Sequence, residues 1–403
     1  MTAPSLDGFD LRALPDGFHD DPYPWYRRLR EVSPVRPMPD GSWLLTRHAD
    51  CERVYKDPRV FVSDKRIEFA PKFGDSPLFE HHTTSLVFND PPLHTRVRRL
   101  ITGALAPRAI ADMGPGLVRL VDRLLDELPG HDAPDLIEHF AAAIPIEIIG
   151  NLLQVPHADR APLRGWSLAI LGALEPHLGP PELAAGNRAV TEFSAYLAGL
   201  VEQRRSCPGD PDRDVLTRLI LGEPAGGRLS TAELLHNCIF LLNAGHETTT
   251  NLIGNSLVLL DHWRDQRAQL VAEPELADSA VEEFLRFESS NQLGNRRAVE
   301  ATEVGGVALP RGALVTLCIG AANRDPAQFP DPDRLDITRS PNRHLAFGSG
   351  IHLCAGHMLA RLEGRIAVGR FLARFPRYRL ASEPVRGRRV RFRGFLKVPV
   401  ALD

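Results

Sequence analysis

The sequence predicts a mainly α protein with smaller β-sheets, an α+β chain, on three observations. Apolar residues recur at spacings of three and four through most of residues 92–290. One stretch, from 231 to about 263, is apolar almost all round, as a helix buried in a large core must be. Residues 31–65 and 297–403 instead break short apolar runs with turns, which reads as small sheets. No Gly/Ser-rich or Pro-rich linker divides residues 1–403, so the whole chain is expected to form one domain.

The elements follow in order. Trp43-Leu-Leu-Thr, between Asp40-Gly41 and Arg47-His48, predicts a strand. Residues 94–105, 116–128, 136–153 and 189–205 predict amphipathic helices. Residues 172–183 hold Pro176, Pro180 and Pro181 and predict a loop. Ser230 and Glu233 form a capping box that starts the long apolar helix. Residues 304–316 read as a hairpin, and 324–342 as an Asp/Pro-rich coil. A helix is expected over 355–371, then a β-rich end containing Val398-Pro-Val.

Composition narrows the function. The 48 Lys and Arg against 51 Asp and Glu leave a net charge of −3, which argues against nucleic acid as a partner. The Arg-rich stretch 386–393 alternates with Val and Phe; it is expected to be a solvated strand face, with a docking patch for an acidic protein as the other reading. Five scattered cysteines (51, 207, 238, 318 and 354), with no CxxC, predict a reducing compartment and no disulfide framework. There is no signal-like N-terminus and no run of about 18 apolar residues. A cytoplasmic protein with no membrane association is expected.

Two segments carry chemistry. Residues 347–356 read Phe-Gly-Ser-Gly-Ile-His-Leu-Cys-Ala-Gly, which sets Cys354 in a tight glycine turn before a helix. A helix N-terminus favours a thiolate, so the sulfur is poised as a nucleophile, a zinc ligand or a haem-iron ligand. His344, His352 and His357 lie near it, but at no common zinc spacing. The second segment interrupts the long apolar helix with Asn243-Ala-Gly-His-Glu-Thr-Thr-Thr. Buried polar groups cost several kcal/mol unless satisfied, so a function is the better reading. His246-Glu247 lacks the second histidine of a zinc protease, since position 250 is Thr. Ala244 and Gly245 leave room for a flat group, while Glu247 and Thr248 offer an acid and a hydroxyl for proton delivery. Haem ligation by Cys354 accounts for both segments at once. His94 with Arg98, and Arg296 with His344, are then candidate propionate partners.

On these motifs the chain resembles the soluble bacterial cytochromes P-450, which are haem-thiolate monooxygenases. The glycine-cysteine segment matches their haem signature, and Ala244-Gly-His-Glu-Thr248 their oxygen-activation motif. Glu283-Phe-Leu-Arg286 matches a structural ion pair expected to lock residues 324–342. His94-Thr-Arg-Val-Arg98 is similar to their propionate helix. The resemblance implies the triangular helix-rich fold, with haem b held between the long central helix and the cysteine loop. It makes Cys354 the axial ligand and Glu247 and Thr248 the catalytic pair. Ala244, His94, Arg98, Arg296, His344, Phe347, Gly348, His352 and Gly356 become cofactor contacts.

The implied reaction uses O2 and two electrons to hydroxylate, demethylate or epoxidise a small-to-medium organic substrate. A peroxygenase or coupling oxidase on the same scaffold is the alternative, and a non-catalytic haem carrier a more distant one. No flavin or iron–sulfur motif is present, so electrons are expected from NAD(P)H through a ferredoxin or flavodoxin and its reductase. Arg343, Arg361 and Arg365 are candidate docking charges. A monomer is expected. Its substrate pocket is expected to include Val87, Phe240, Asn243, Ala244, Leu293, Gly294 and Phe395, with the loop over 166–185 as a further wall.

Overall fold

The computed structural model describes residues 4–211, 214–222 and 227–402. The chain is mainly helical with small sheets. At its centre runs the helix Thr231–His262, hereafter the central helix. Its 32 residues span about 48 Å at 1.5 Å per residue. Ser230 Oγ accepts the Glu233 N–H at 3.1 Å and a Glu233 carboxylate oxygen accepts the Ser230 N–H at 2.8 Å, which caps two of the donors a helix start leaves unpaired.

Two apolar clusters thread onto this helix. Leu234, Cys238, Ile239 and Leu242 belong to one, which gathers the helices Leu93–Ala104, Leu163–Gly172 and Pro180–Ser206. Leu252, Ile253, Leu257 and Leu260 belong to the other, with the helices Pro107–Glu127, Ala277–Phe287 and His357–Arg374. The polar stretch from Asn243 to Asn251 falls at the junction between the two. A polar interruption is therefore placed where no continuous apolar core needs to close over it.

The largest sheet has five strands in the order Val35–Pro37, Trp43–Leu45, Leu314–Cys318, Leu293–Ala298 and Phe61–Val62. Trp43–Leu45 runs parallel to Leu314–Cys318, and the other neighbours are antiparallel. Leu44, Leu45, Val315 and Leu317 are fully buried and weld the sheet to the helices.

Several sequence expectations shift. The hairpin over 304–316 is instead Thr302–Val304 paired with Val307–Leu309, turning on Gly305 and Gly306 at φ +58° and +81°, which is the backbone a two-residue turn requires. Pro310 and Gly312 then redirect the chain into the main sheet. The loop expected over 172–183 shrinks, because Pro180 and Pro181 take the first positions of the helix Pro180–Ser206, where a missing N–H costs nothing. The stretch over 136–153 divides into a π-helical turn, Ile137–Ala141, and the helix Ala143–Leu152. The helix His48–Lys56 lies inside the region expected to be β-rich. Among the described residues no helix is long and apolar enough to cross a membrane.

Candidate active site

The cysteine loop is a built turn. Gly348 and Gly350 sit at φ +67° and +69°, a region L side chains avoid. A Cβ on Gly350 would also come within 2.2 Å of the Tyr55 carbonyl oxygen. The Cys354 N–H donates to the Phe347 oxygen at 2.9 Å, and Leu345 N–H to Asn323 Oδ1 at 2.7 Å. The following helix begins at His357, with Gly356 as its N-cap, so it starts later than the sequence suggests. The poised-anion reading of Cys354 changes accordingly. Burial pushes the thiol up, against the Gly356 N–H and the Arg98 and Arg361 charges. The helix end alone does not hold this sulfur as an anion; a bound cation would.

Cys354 lines a cavity of 520 Å³ that is also lined by Ala244, Gly245 and Thr248 of the central helix. A Cβ on Gly245 would lie 1.8 Å from Ile149 Cδ1, so glycine is what lets the helix Ala143–Leu152 pack here. Thr248 Oγ1 donates to the Ala244 carbonyl at 2.7 Å. Glu247 turns the other way and pairs with Arg389, Oε1 to Nη1 at 2.6 Å. Burial raises its carboxyl despite that guanidinium. Glu247 Oε2, both Asn243 side-chain atoms and both His246 ring nitrogens are buried without a hydrogen-bond partner among the described residues.

Cations rim the cavity near the cysteine loop. Arg98 and Arg296 line it, as does His352. Arg98 Nη2 donates to the Leu353 oxygen at 2.7 Å, and the Arg296 guanidinium stands 5.0 Å over the Tyr55 ring. His94 stacks behind His352 at 4.1 Å, and its Nε2 is buried without a partner. Burial, then the His352 and Arg98 charges, hold His94 down to about 4. His344 differs from expectation: it is not among the residues lining the cavity, and its Nε2 lies 3.2 Å from Glu282 Oε2. Phe347, Gly348, Gly356, Val87, Phe240, Asn243, Leu293 and Gly294 all line the cavity.

These residues fit a flat, doubly anionic, metal-bearing ring. The cavity offers a sulfur, small residues of the central helix, and cations with an orphaned imidazole nitrogen close by.

Other expectations are corrected. Phe395 does not line the cavity; it pairs in a short strand, Phe395–Lys397, under the Arg386 guanidinium at 4.0 Å. Phe392 takes its place. The arginine stretch 386–393 is not a solvated strand face. Arg389 reaches Glu247, Arg393 pairs with buried Glu288, and Arg391 lines the cavity. Alternation failed as a guide because Val390 and Phe392 are buried as well, so both faces of the segment are covered. Of the candidate docking charges, Arg343 is exposed, whereas Arg361 pairs with Glu282 at 2.5 Å and Arg365 with Asp278 at 3.2 Å.

One cavity acid escaped sequence reasoning. Glu363 is buried on the helix His357–Arg374, and burial pushes its carboxyl up to about 8. The signal was readable, since Glu363 sits four residues from Leu359 and Ala367 on the apolar face.

Behind the cavity, Glu283 and Arg286 form a fully buried pair at 2.7 Å. Arg286 donates to the carbonyl oxygens of Asn323, Pro332 and Arg334. Glu283 accepts from the Asp336 N–H, Arg339 and Asn342.

The chain was compared with known proteins. The sequence profile described as Cytochrome P450 matches residues 177–380. Cytochrome P450 107B1 of Saccharopolyspora erythraea is 40% identical over 407 residues, covering 97% of each chain. The vitamin D(3) 25-hydroxylase of Pseudonocardia autotrophica is 39% identical, covering 96% of this chain and 94% of that one. Among solved structures, P450BioI in complex with a hexadec-9Z-enoic acid-ligated acyl carrier protein superposes with a TM-score of 0.90 at 34% identity. That match covers 96% of this chain and 99% of the other.

Proposed function

We infer, from the premise that this chain belongs to the cytochrome P450 family, that Cys354 holds haem b and that Thr248 and Glu247 deliver protons beside it. The protein is a haem-thiolate monooxygenase: it uses haem, O2 and electrons from a redox partner to oxidise a small organic molecule. The observation that carries the residue assignment is one cavity lined both by Cys354 and by Ala244, Gly245 and Thr248.

When bound, haem supplies the redox-active iron at which O2 is reduced. The chain's part is positioning and proton control. Arg98, Arg296 and His352, with His94 behind, would hold the two propionates by charge-assisted hydrogen bonds. Ala244 and Gly245 keep the central helix thin there. The Thr248 hydroxyl donates a hydrogen bond to the Ala244 carbonyl, so its lone pairs are free to accept from water or substrate. Glu247 holds its proton more readily than an exposed acid and reaches the cavity by exchanging Arg389 for water. Electrons come from NAD(P)H through a ferredoxin or flavodoxin and its reductase, since no flavin-binding or iron–sulfur motif occurs in the sequence.

The test is the spectrum of the reduced protein with carbon monoxide. A band at about 450 nm is expected for thiolate-held haem, and Cys354→His should bind haem without that band. A variant that keeps the band would remove Cys354 from the site.

A further inference from the structure

The cavity is also lined by Leu11, Arg12 and Pro176, and Lys72 and Arg391 are two further cations in its wall. Lys72, on the helix Arg66–Phe73, donates from Nζ to the Glu175 carbonyl at 2.7 Å. Arg391 donates from Nε to the Leu174 carbonyl at 3.2 Å, from Nη1 to the Leu293 carbonyl at 2.8 Å, and from Nη2 to Asn295 Oδ1. Neutral oxygens on two separate segments, the connection at Leu174 and the strand Leu293–Ala298, thus fix the guanidinium in place. Two N–H groups remain free on each cation.

Neither cation forms an ion pair among the described residues. Buried arginines outside the cavity are paired, such as Arg286 with Glu283 at 2.7 Å and Arg30 with Asp325 at 3.8 Å, whereas Arg296, buried in the cavity wall, shares the lack of an ion-pair partner and is assigned to the propionates. The nearby acids are engaged elsewhere. Glu68 takes the Lys65 ammonium at 2.6 Å, and Glu175 accepts the Val390 and Arg391 backbone N–H groups at 2.9 and 3.2 Å. Glu68 and Glu175 act on both cations through space without an ion pair, so the free N–H groups are costly in such a place unless something arrives to meet them. The positive field is felt locally: burial first, then Lys72 and Arg391, push His82 down to about 3. Both cations are tied to the connection between the helices Leu163–Gly172 and Pro180–Ser206, and Arg391 is also tied to the strand Leu293–Ala298, where Arg296 Nη1 donates to the Asn295 carbonyl at 2.7 Å. The wall also includes apolar Phe69, Phe88, Leu171, Leu174 and Phe240.

We propose that the substrate is an apolar molecule carrying a carboxylate, which Lys72 and Arg391 receive while the apolar body extends towards Thr248. This rests on the monooxygenase reading above and names its substrate class.

The experiment titrates the haem-loaded full chain by calorimetry at pH 7. The probes are dodecanoic acid, 4-phenylbutanoic acid and cyclohexaneacetic acid, each beside its primary amide. At least one acid should bind tighter than its amide by roughly tenfold or more, as hydrogen bonds to charged groups allow. Lys72→Met and Arg391→Gln should each remove most of that preference and leave amide binding unchanged. The proposal is overturned if no acid outperforms its amide, binding of neither included. It is overturned equally if the variants weaken acid and amide alike, or if they lose haem, which would assign the cations to the propionates. Should Arg391→Gln fail to fold, Lys72→Met carries the comparison alone. The carbon monoxide band is recorded on the same samples. Its absence in the parent protein defeats the monooxygenase reading; its presence with no acid preference defeats only the carboxylate subsite.

Discussion

Two buried polar clusters in this protein use the same kinds of residue to opposite ends. Around Glu283, both carboxylate oxygens and the arginine nitrogens are taken: by each other, by three carbonyls, and by Arg339, Asn342 and a backbone N–H. In the middle of the central helix, Glu247 has one partner for two oxygens, and Asn243 and His246 have none among the described residues. Saturation marks a group that holds the scaffold, because every lone pair is already committed. Open valence marks a group kept for something that comes and goes. The residue type does not separate the two roles; the count of partners does.

Removing Arg286 tests the saturated side and carries the largest expected effect. Arg286→Leu takes from fully buried Glu283 its 2.7 Å partner, leaving Arg339, Asn342 and the Asp336 N–H, and frees three carbonyl oxygens. A broken buried pair costs about 3–5 kcal/mol, to be read from urea unfolding. Arg286→Lys should recover only part of this, since one ammonium cannot replace a fork that meets both carboxylate oxygens and three carbonyls. A loss under about 1 kcal/mol would mean that the knot contributes no more than a surface pair, and the contrast would fall.

Legibility in the sequence follows the same division. The fold class was readable because periodicity is local: the central helix announces itself by its capping box and its apolar run. Glu283 and Arg286 lie three apart on one helix, and the cysteine turn is contained within ten residues, so short spacing exposes both. What stayed hidden depends on long-range partners. Arg389 meets Glu247 across 142 positions, and nothing near either residue signals the meeting. His344 finds Glu282, and Phe392 replaces Phe395, because a loop's path decides which side chain faces inward. Arg391 was read as solvated for the same reason, since its neutral partners come from two distant segments, at Leu174 and on the strand Leu293–Ala298.

Glu363 extends the comparison to an acid with no cation beside it. Its carboxyl is raised from 4.5 to about 8, by burial against a small opposing effect of Thr249. Below about pH 4.5 both folded and unfolded chains carry the proton, and its burial costs nothing extra. Between about 4.5 and 8 only the unfolded chain releases it, so stability falls as pH rises. Each pH unit in that window is worth about 1.4 kcal/mol at most. Glu363→Gln should therefore match the parent protein near pH 4.5 and exceed it by about 2–4 kcal/mol near pH 8. A stability difference that does not change with pH would show that this acid is not held neutral.

The open side should give the smallest change in stability and a large one in chemistry. Thr248→Val keeps the side-chain shape and removes the hydroxyl. The Ala244 carbonyl loses the Oγ1 contact but keeps its helical N–H, so unfolding should move by no more than about 1 kcal/mol. Proton delivery has no such reserve. Each turnover should then divert electrons from substrate to hydrogen peroxide, lowering product formed per NAD(P)H consumed by roughly tenfold or more. Both quantities come from one preparation, by urea titration and by counting product against NAD(P)H. If stability drops by several kcal/mol while coupling holds, Thr248 belongs with Glu283 as a scaffold residue. If coupling drops while stability holds, the hydroxyl matters for what it exchanges during turnover and not for what it fastens in the resting fold.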